Sequence, residues 1–246
     1  MSRVAILVFL SLCLCSSVRL LARDADTLIQ WLLEDERDLK SIPFSDVVKA
    51  ATEKQIIPVN RTNETDRVLL SKIGSALDRV LAKMNAAGSG AQKERRINEV
   101  SSHFEVAMKA ALNAVPGFAC DYPKTASGHT QRSGYPDLRL TDKTSGRVVY
   151  LDPKLYERGS HDSSFRTFYF EPKRETNKIL EDAHHLLVGI EHDGRQGEAW
   201  KFLRWDLVDL SHFRVRLKAE FQGSNRDLYR TESIVGRSQS ETVRSR

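Results

Sequence analysis

The sequence of 246 residues predicts a mixed α/β fold. Between Asp24 and Val115 apolar residues recur every three or four positions, which is the periodicity of helices that pack against a core. From Tyr135 onward apolar and polar residues alternate in short segments, as they do in strands with one buried face. The composition, with 40% hydrophobic and 29% charged residues and only 13 Gly and 7 Pro, excludes collagenous, low-complexity and disordered chains.

Residues 1–22 have the build of a secretory signal peptide. Arg3 precedes an apolar run from Val4 to Cys15, and the segment ends at the small residue Ala22. The run is shorter than the roughly 20 residues that cross a bilayer, so we expect cleavage and a secreted or periplasmic location. An uncleaved signal anchor and a misassigned start codon are the alternatives. A chain cut at this point keeps only Cys120, which excludes an internal disulfide and argues against a thiolate metal site.

Residues 23–90 are predicted to form a helical N-terminal extension. One amphipathic helix carries apolar residues from Leu28 to Leu39, and Ser45 is expected to cap the next helix. A third helix carries apolar residues three and four positions apart from Leu69 to Met84. Because Gly88-Ser89-Gly90 then breaks the pattern, we expect a domain boundary there.

Residues 91–222 are predicted to form the main domain, which a flexible tail of residues 223–246 follows. Its expected elements are, in chain order, a helix over 92–114, strands near 118–122, 135–140 and 148–156, a helix over 172–184 and a strand at 186–191. Residues 200–210 are compatible with a strand or a helix. Strict alternation from Phe213 to Phe221 predicts a further amphipathic strand.

The two strands on either side of residues 143–146 are predicted to form a hairpin, because the segment between them is rich in turn-forming residues. With those four residues as the loop, Asp137 lies directly across from Asp152. Two facing carboxylates repel in water, and a bound divalent cation would offset the repulsion. Oxygen ligands of this kind suit Mg²⁺.

Two further groups lie beside Asp152 on the second of these strands. Lys154 shares its face, where an ammonium can hold an attacking water or stabilise charge that develops on a phosphate. Pro153 offers its backbone carbonyl as an additional metal ligand. The pattern therefore predicts a metal-dependent hydrolytic site.

Pro136-Asp137, fourteen intervening residues and Asp152-Pro153-Lys154 resemble the PD-(D/E)xK signature of the restriction-endonuclease-like nuclease superfamily. The core of that superfamily is a helix, a three-stranded meander, a second helix and a fourth strand, which is the order expected over residues 92–192. The resemblance implies that Asp137 and Asp152 bind Mg²⁺ or Mn²⁺ and that Lys154 assists the attacking water.

The resemblance also implies a glutamate from the first helix of the core. Glu105 is the expected residue because it lies about 100° from Phe104, the centre of the apolar stripe, at the edge of the buried face. Glu99, which is further into solvent, is the alternative. Counting Glu105, the expected metal ligands are Asp137, Asp152, Glu105 and the Pro153 carbonyl.

Contacts with nucleic acid are expected from three parts of the chain. The first part is the loop and strand around the acidic pair, the second is the helix expected after Pro172, and the third is the basic face of the last strand. The residues are Gln131, Arg132, Tyr156, Lys173, Arg214, Arg216 and Lys218. Beyond residues 1–22 the whole positive excess lies within residues 121–180, which contain the expected site.

These features together predict an exported Mg²⁺-dependent nuclease that hydrolyses phosphodiester bonds in DNA, with RNA left open as a substrate. One alternative is a non-catalytic nucleic-acid-binding member of the same fold. Another is an exported interaction protein whose acidic hairpin binds no metal. For His184-His185 a core or helix-end role is expected rather than zinc ligation, because adjacent histidines on one helix do not point at one metal.

Overall fold

A computed structural model describes residues 25–33, 39–164, 167–197, 199–218, 220 and 222–236 of the chain. The predicted signal peptide lies outside these residues. Residues 41–215 form one compact unit, and the described parts of 1–40 and 216–246 belong to a second. No helix in the described ranges is long and apolar enough to cross a membrane.

The chain contains five helices and seven strands in its described parts. The helices are α1 (25–33), α2 (Phe44–Thr52), α3 (Glu64–Asn85), α4 (Ile97–Asn113) and α5 (Asn225–Leu228). The strands are β1 (Ile42–Pro43), β2 (Phe118–Asp121), β3 (Leu138–Asp142), β4 (Val148–Glu157), β5 (His184–Gln196), β6 (Ala199–Asp209) and β7 (Arg214–Val215).

Five strands form a mixed sheet in the order β2-β3-β4-β5-β6. All neighbours are antiparallel except β4 and β5, which run parallel. The predicted α/β class is confirmed. In the β3–β4 hairpin Leu138 pairs with Leu151 and Thr141 with Val148, which confirms the expected register and the turn at 143–146.

A hydrophobic core fills the space between one face of the sheet and helices α3 and α4. Apolar residues of both helices pack there against alternate residues of the strands, such as Leu138, Leu151 and Val188. The boundary predicted at residues 88–90 would place α3 outside the main domain. Residues 88–90 lie, however, inside the compact unit of residues 41–215, which also contains α3. The helices share one core because their apolar stripes face the same side of the sheet.

A smaller, aromatic core covers part of the opposite face of the sheet. Phe44 at the start of α2 is its centre and makes edge-to-face contacts with Tyr135, Phe168, Phe170 and Phe213. Tyr150 from β4 belongs to the same cluster and is fully buried. This face carries the polar residues of the hairpin, so the aromatic core ends beside them.

The predicted helix over 172–184 is wrong, because the crossover from β4 to β5 contains no helix in residues 167–183 and β5 begins at His184. Local and tertiary hydrogen bonds replace helical ones here. The Asn177 side chain bonds both the N–H and the carbonyl of Ile179, at 2.9 Å each. The Leu180 N–H donates to the Tyr150 hydroxyl at 2.9 Å. Such side-chain bonds compete with helix formation.

The amphipathic strand expected from Phe213 to Phe221 is also wrong. Strand β7 contains only Arg214 and Val215, because its partner β1 is two residues long and continues directly into α2. The ambiguous segment at 200–210 belongs to strand β6, which a short turn of 3₁₀ helix follows.

One smaller expectation about a helix also needs correction, because Pro43, not Ser45, stands at the N-cap of α2. The flexibility of the tail stays a prediction. Its described part contains the short helix α5, whose capping box joins Ser224 and Asp227. Residues 237–246 lie outside the described part of the chain.

Candidate active site

The carboxyl groups of Asp137 and Asp152 meet at the end of the β3–β4 hairpin. Asp137 lies one residue beyond the strand ladder, and its N–H donates to the carbonyl of Leu151 at 3.2 Å. Asp152 is 1% exposed. Burial, and after it the negative charge of the neighbouring Asp152, raise the pKa of Asp137 to about 8. The hairpin thus places the partly exposed Asp137 next to the buried Asp152, where the two charges are poorly screened by water.

Lys154 lies beside this pair, with its Nζ 2.5 Å from Oδ2 of Asp152. The side chain of Lys154 is 31% exposed, so it is in contact both with the buried carboxylate of Asp152 and with solvent. Oδ2 of Asp152 is nevertheless a buried oxygen that accepts no hydrogen bond of ordinary geometry. Two neighbouring carboxyls, of which the buried one has the Lys154 ammonium as the partner of its Oδ2, fit a site for a divalent cation.

The described residues contain no group of three or more His, Cys, Asp or Glu side chains arranged to hold a metal ion. Glu105 lies close enough for its charge to raise the pKa of Asp137. Its carboxylate, however, forms an ion pair of 2.8 Å with Arg132, whose guanidinium stacks over Tyr122 at 4.9 Å. Metal ligation by Glu105 stays a prediction, and Glu99 is exposed on the same helix.

Two comparisons with known proteins bear on the activity of the chain. Residues 37–232 match the model of the Type II restriction enzyme MjaV family. The chain belongs to that family. It is 34% identical over 209 residues to the Type II restriction enzyme MjaV of Methanocaldococcus jannaschii, covering 80% of this chain and 89% of the relative. Membership of the MjaV family confirms the prediction of an endonuclease-like hydrolase.

In this member of the MjaV family two other expected residues have hydrogen-bond partners within the protein. The Nε2 of Gln131 donates to the backbone carbonyl and the hydroxyl of Ser133, at 3.2 Å each. Tyr156 lies two residues beyond Lys154 on β4, and its hydroxyl donates to Asp206 at 2.8 Å. Both side chains are engaged within the protein, and contact with nucleic acid stays a prediction for them.

The remaining expected nucleic-acid contacts are a basic residue of the crossover and three basic residues in and after strand β7. Lys173 is exposed and forms an ion pair of 2.9 Å with Glu171. Arg214 donates from Nε to the hydroxyl of Ser41 at 2.7 Å. Arg216 and Lys218 belong to the second unit of the chain. Arg214, Arg216 and Lys218 therefore do not form the continuous strand face that the alternation predicted, because strand β7 ends at Val215.

The sequence places Lys178 on the expected helix after Pro172, as a phosphate contact or as part of a solvated face, whereas the crossover segment buries it beside the acidic pair. The residue is 2% exposed, and its Nζ donates to the carbonyls of Gln131 and Gly134. Burial lowers the pKa of Lys178, whereas the charges of Asp137 and Asp152 act in the opposite direction. Both expectations leave the ammonium of Lys178 at the surface, and no periodicity in the sequence indicates that it is buried.

The adjacent histidines of β5 are both buried in the fold, in agreement with a core role. The hydroxyl of Tyr135 and Nδ1 of His185 are 2.7 Å apart, and burial lowers the pKa of His185 to about 3. Nδ1 of His184 is bonded to the carbonyl of Ile57 at 2.8 Å. Through Tyr135, which precedes the Pro136-Asp137 dipeptide, His185 supports the backbone that leads into the site.

Proposed function

We propose that this member of the MjaV family is a Mg²⁺-dependent endonuclease that hydrolyses phosphodiester bonds in DNA. The single observation that carries the proposal is the pairing of Asp137 with the buried Asp152 across the β3–β4 hairpin, with the Lys154 ammonium 2.5 Å from the second acid. The name of the relative, a Type II restriction enzyme, supports DNA as the substrate. The order of α4 and strands β2 to β5 supports a PD-(D/E)xK core in which an irregular crossover takes the place of the second helix.

Asp137 and Asp152 would hold the cation, together with the backbone carbonyl of Pro153. Mn²⁺ has the same preference for oxygen ligands and is expected to replace Mg²⁺. When bound, the cation supplies positive charge against the phosphate oxygens and favours deprotonation of a water molecule. Its binding would also remove the repulsion between the two acids, since both carboxylates would then share a positive partner.

Lys154 is the residue expected to act on the nucleophile. Its ammonium has three donors, of which the ion pair with Asp152 uses one. The others remain able to hold a water molecule and to donate to a phosphate oxygen as negative charge grows there. Arg132, half exposed at the rim of the site, is expected to contact an adjacent phosphate by leaving its pair with Glu105.

Cleavage of plasmid DNA by the purified chain tests the proposal. We expect cutting in Mg²⁺ or Mn²⁺, none in chelator, and a loss of at least about 100-fold in Asp137→Ala and Lys154→Ala, since each removes a group that acts on the reacting phosphate. Lys143→Ala, an exposed change in the hairpin turn, is the matched control and should cut normally.

Three results would overturn the proposal. The first is a folded wild-type chain that binds DNA but cuts it in no divalent cation, which supports the non-catalytic binding module. The second is undiminished cutting by Asp137→Ala. The third is cleavage of RNA with no cleavage of DNA under the same conditions, which would reassign the substrate.

A further inference from the structure

We propose that Lys178 is a positioning residue for the cleavage reaction, because its buried ammonium fixes the loop that leads into Asp137. The inference rests on the proposed function and assigns a role to a residue that lies outside the Asp137, Asp152 and Lys154 group. Lys178 comes from the crossover between β4 and β5, and its two acceptors lie 47 and 44 residues earlier in the chain.

The burial of Lys178 needs a physical reason, since a lysine is almost never fully buried unless its charge is compensated. The residue is 2% exposed and ranks among the largest buried side chains of the protein. Its Nζ donates to the carbonyl of Gln131 at 3.3 Å and to that of Gly134. Both acceptors are backbone atoms, so the contact fixes the path of the chain rather than the rotamer of a side chain.

The loop held in this way continues directly into the acidic pair. Gly134 stands three residues before Asp137, and the same loop carries Arg132, which is paired with Glu105. A second tie joins the loop to the crossover, because the N–H of Ala126 donates to the carbonyl of Asn177 at 2.7 Å. The two adjacent residues 177 and 178 therefore hold both ends of the loop.

The charges around the ammonium also place Lys178 in the electrostatic environment of the site. Asp137, Asp152 and Glu105 all attract its charge, and Lys154 repels it. Three acids therefore face three cations, Lys154, Arg132 and Lys178. Of the three cations only Lys178 is buried, which keeps it away from the substrate and limits it to holding the loop and offsetting negative charge.

Lys178→Met tests the role, because methionine keeps the length of the side chain and loses both hydrogen bonds and the charge. We expect kcat to fall about 10- to 100-fold, the range for residues that orient a catalytic group, with a much smaller change in KM for DNA. Amide hydrogen exchange over residues 131–137 should become faster in the metal-free protein. Lys178→Arg should recover part of kcat. Lys143→Met is the control with neither effect.

The Gly134→Ala variant perturbs the contact between Lys178 and the Gly134 carbonyl by straining the loop, and it leaves Lys178 itself unchanged. Gly134 has φ +80°, and a Cβ there meets no atom within 4 Å, so alanine strains the backbone without a clash. Gly146 in the β3–β4 turn has φ +72° and equally open space, which makes Gly146→Ala a matched control. We expect the two variants to lose similar thermal stability, while only Gly134→Ala loses kcat.

Two results would overturn the inference while the proposed function stands. One is cleavage by Lys178→Met at the wild-type rate when Asp137→Ala is inactive. The other is an equal loss of kcat in Gly134→Ala and Gly146→Ala, and this comparison decides the matter if the Lys178 variants do not fold. Failure of the wild-type chain to cleave DNA would instead overturn the proposed function, on which the role of Lys178 depends.

Discussion

In the protein without a cation the Asp137 carboxyl is largely desolvated, and the charge of Asp152 also repels it. The pKa of Asp137 therefore rises from 3.8 to about 8. Between these values the folded protein binds more protons than the unfolded chain does. The free energy of unfolding of the metal-free protein consequently falls as the pH rises through this range. At neutral pH the pair lowers stability, which is consistent with a pair that serves function.

Asp137→Asn removes this repulsion while keeping the size of the side chain. We expect the metal-free variant to be more stable than the wild type at pH 8, on the order of 2 kcal/mol, with the difference shrinking toward pH 5. Chemical denaturation of the variant and the wild type in the presence of chelator measures this difference in the free energy of unfolding. Mg²⁺ should stabilise the wild type and leave the variant unchanged. Asp162→Asn, a fully exposed control, should show no such pH-dependent difference, and equal curves for Asp137→Asn and the wild type would contradict the expectation.

The residues of the site differ in how far the sequence could predict them. Asp137 and Asp152 follow from strand alternation and a turn-rich loop, both of which act over a few residues, and the structure brings the two side chains into contact. The ion pair of Glu105 with Arg132 depends on the path of a loop, and alternation carries no information about it. The burial of Lys178 depends on the crossover between β4 and β5, a segment for which the sequence patterns predicted a helix that is absent.

The crossover between β4 and β5 takes its shape from the aromatic core. Phe168 and Phe170 of the crossover both pack edge-to-face on Phe44, at centroid distances of 5.1 and 5.5 Å. Arg139 of β3 forms a bidentate ion pair with Glu181 near the end of the crossover, and Tyr150 donates to the same carboxylate at 2.8 Å. An irregular segment with this many partners does not need helical hydrogen bonds to be ordered.

Phe44→Ala should loosen this segment. The ring is fully buried, so its loss should cost about 3 to 5 kcal/mol of unfolding free energy, and limited proteolysis should cut first near residues 167–170. Phe104→Ala is the matched control, since Phe104 is equally buried in α4 and packs on Phe202 in the other core. Phe104→Ala should lower the free energy of unfolding by a similar amount, but it should not make the crossover more susceptible to proteolysis. The same cleavage pattern in both variants would contradict the separate role of the aromatic core.

At the scale of the whole molecule, α3 is part of the fold that supports the site. It contributes six apolar side chains of the large core, Leu69, Ile73, Ala76, Leu77, Val80 and Met84. A fragment of residues 91–222, the domain expected from the glycine-rich break, lacks all of them. A fragment of residues 41–215 keeps both cores.

We therefore expect the 91–222 fragment to show no cooperative thermal unfolding and the 41–215 fragment to unfold in one transition. The shorter fragment lacks α3, and the apolar surface that α3 covers in the core would then be exposed to water. Thermal unfolding of both fragments is measured by circular dichroism. A cooperative transition in the shorter fragment would contradict this expectation and restore the boundary near residue 90. Export through residues 1–22 stays a proposal, which N-terminal sequencing of the chain from its own host would test.

The sequence by itself determined the α/β class, the β3–β4 hairpin and the register that sets Asp137 beside Asp152. Each of these depends on alternation, turn chemistry or helical periodicity, which neighbouring residues determine among themselves. Only the tertiary structure decided the conformation of the crossover, the burial of Lys178 and the place of α3 in the core. These depend on partners far along the chain, such as Tyr150 for Leu180 and Gly134 for Lys178. A local pattern does not specify such partners, because the free energy of the contact exists only after the sheet has brought them together.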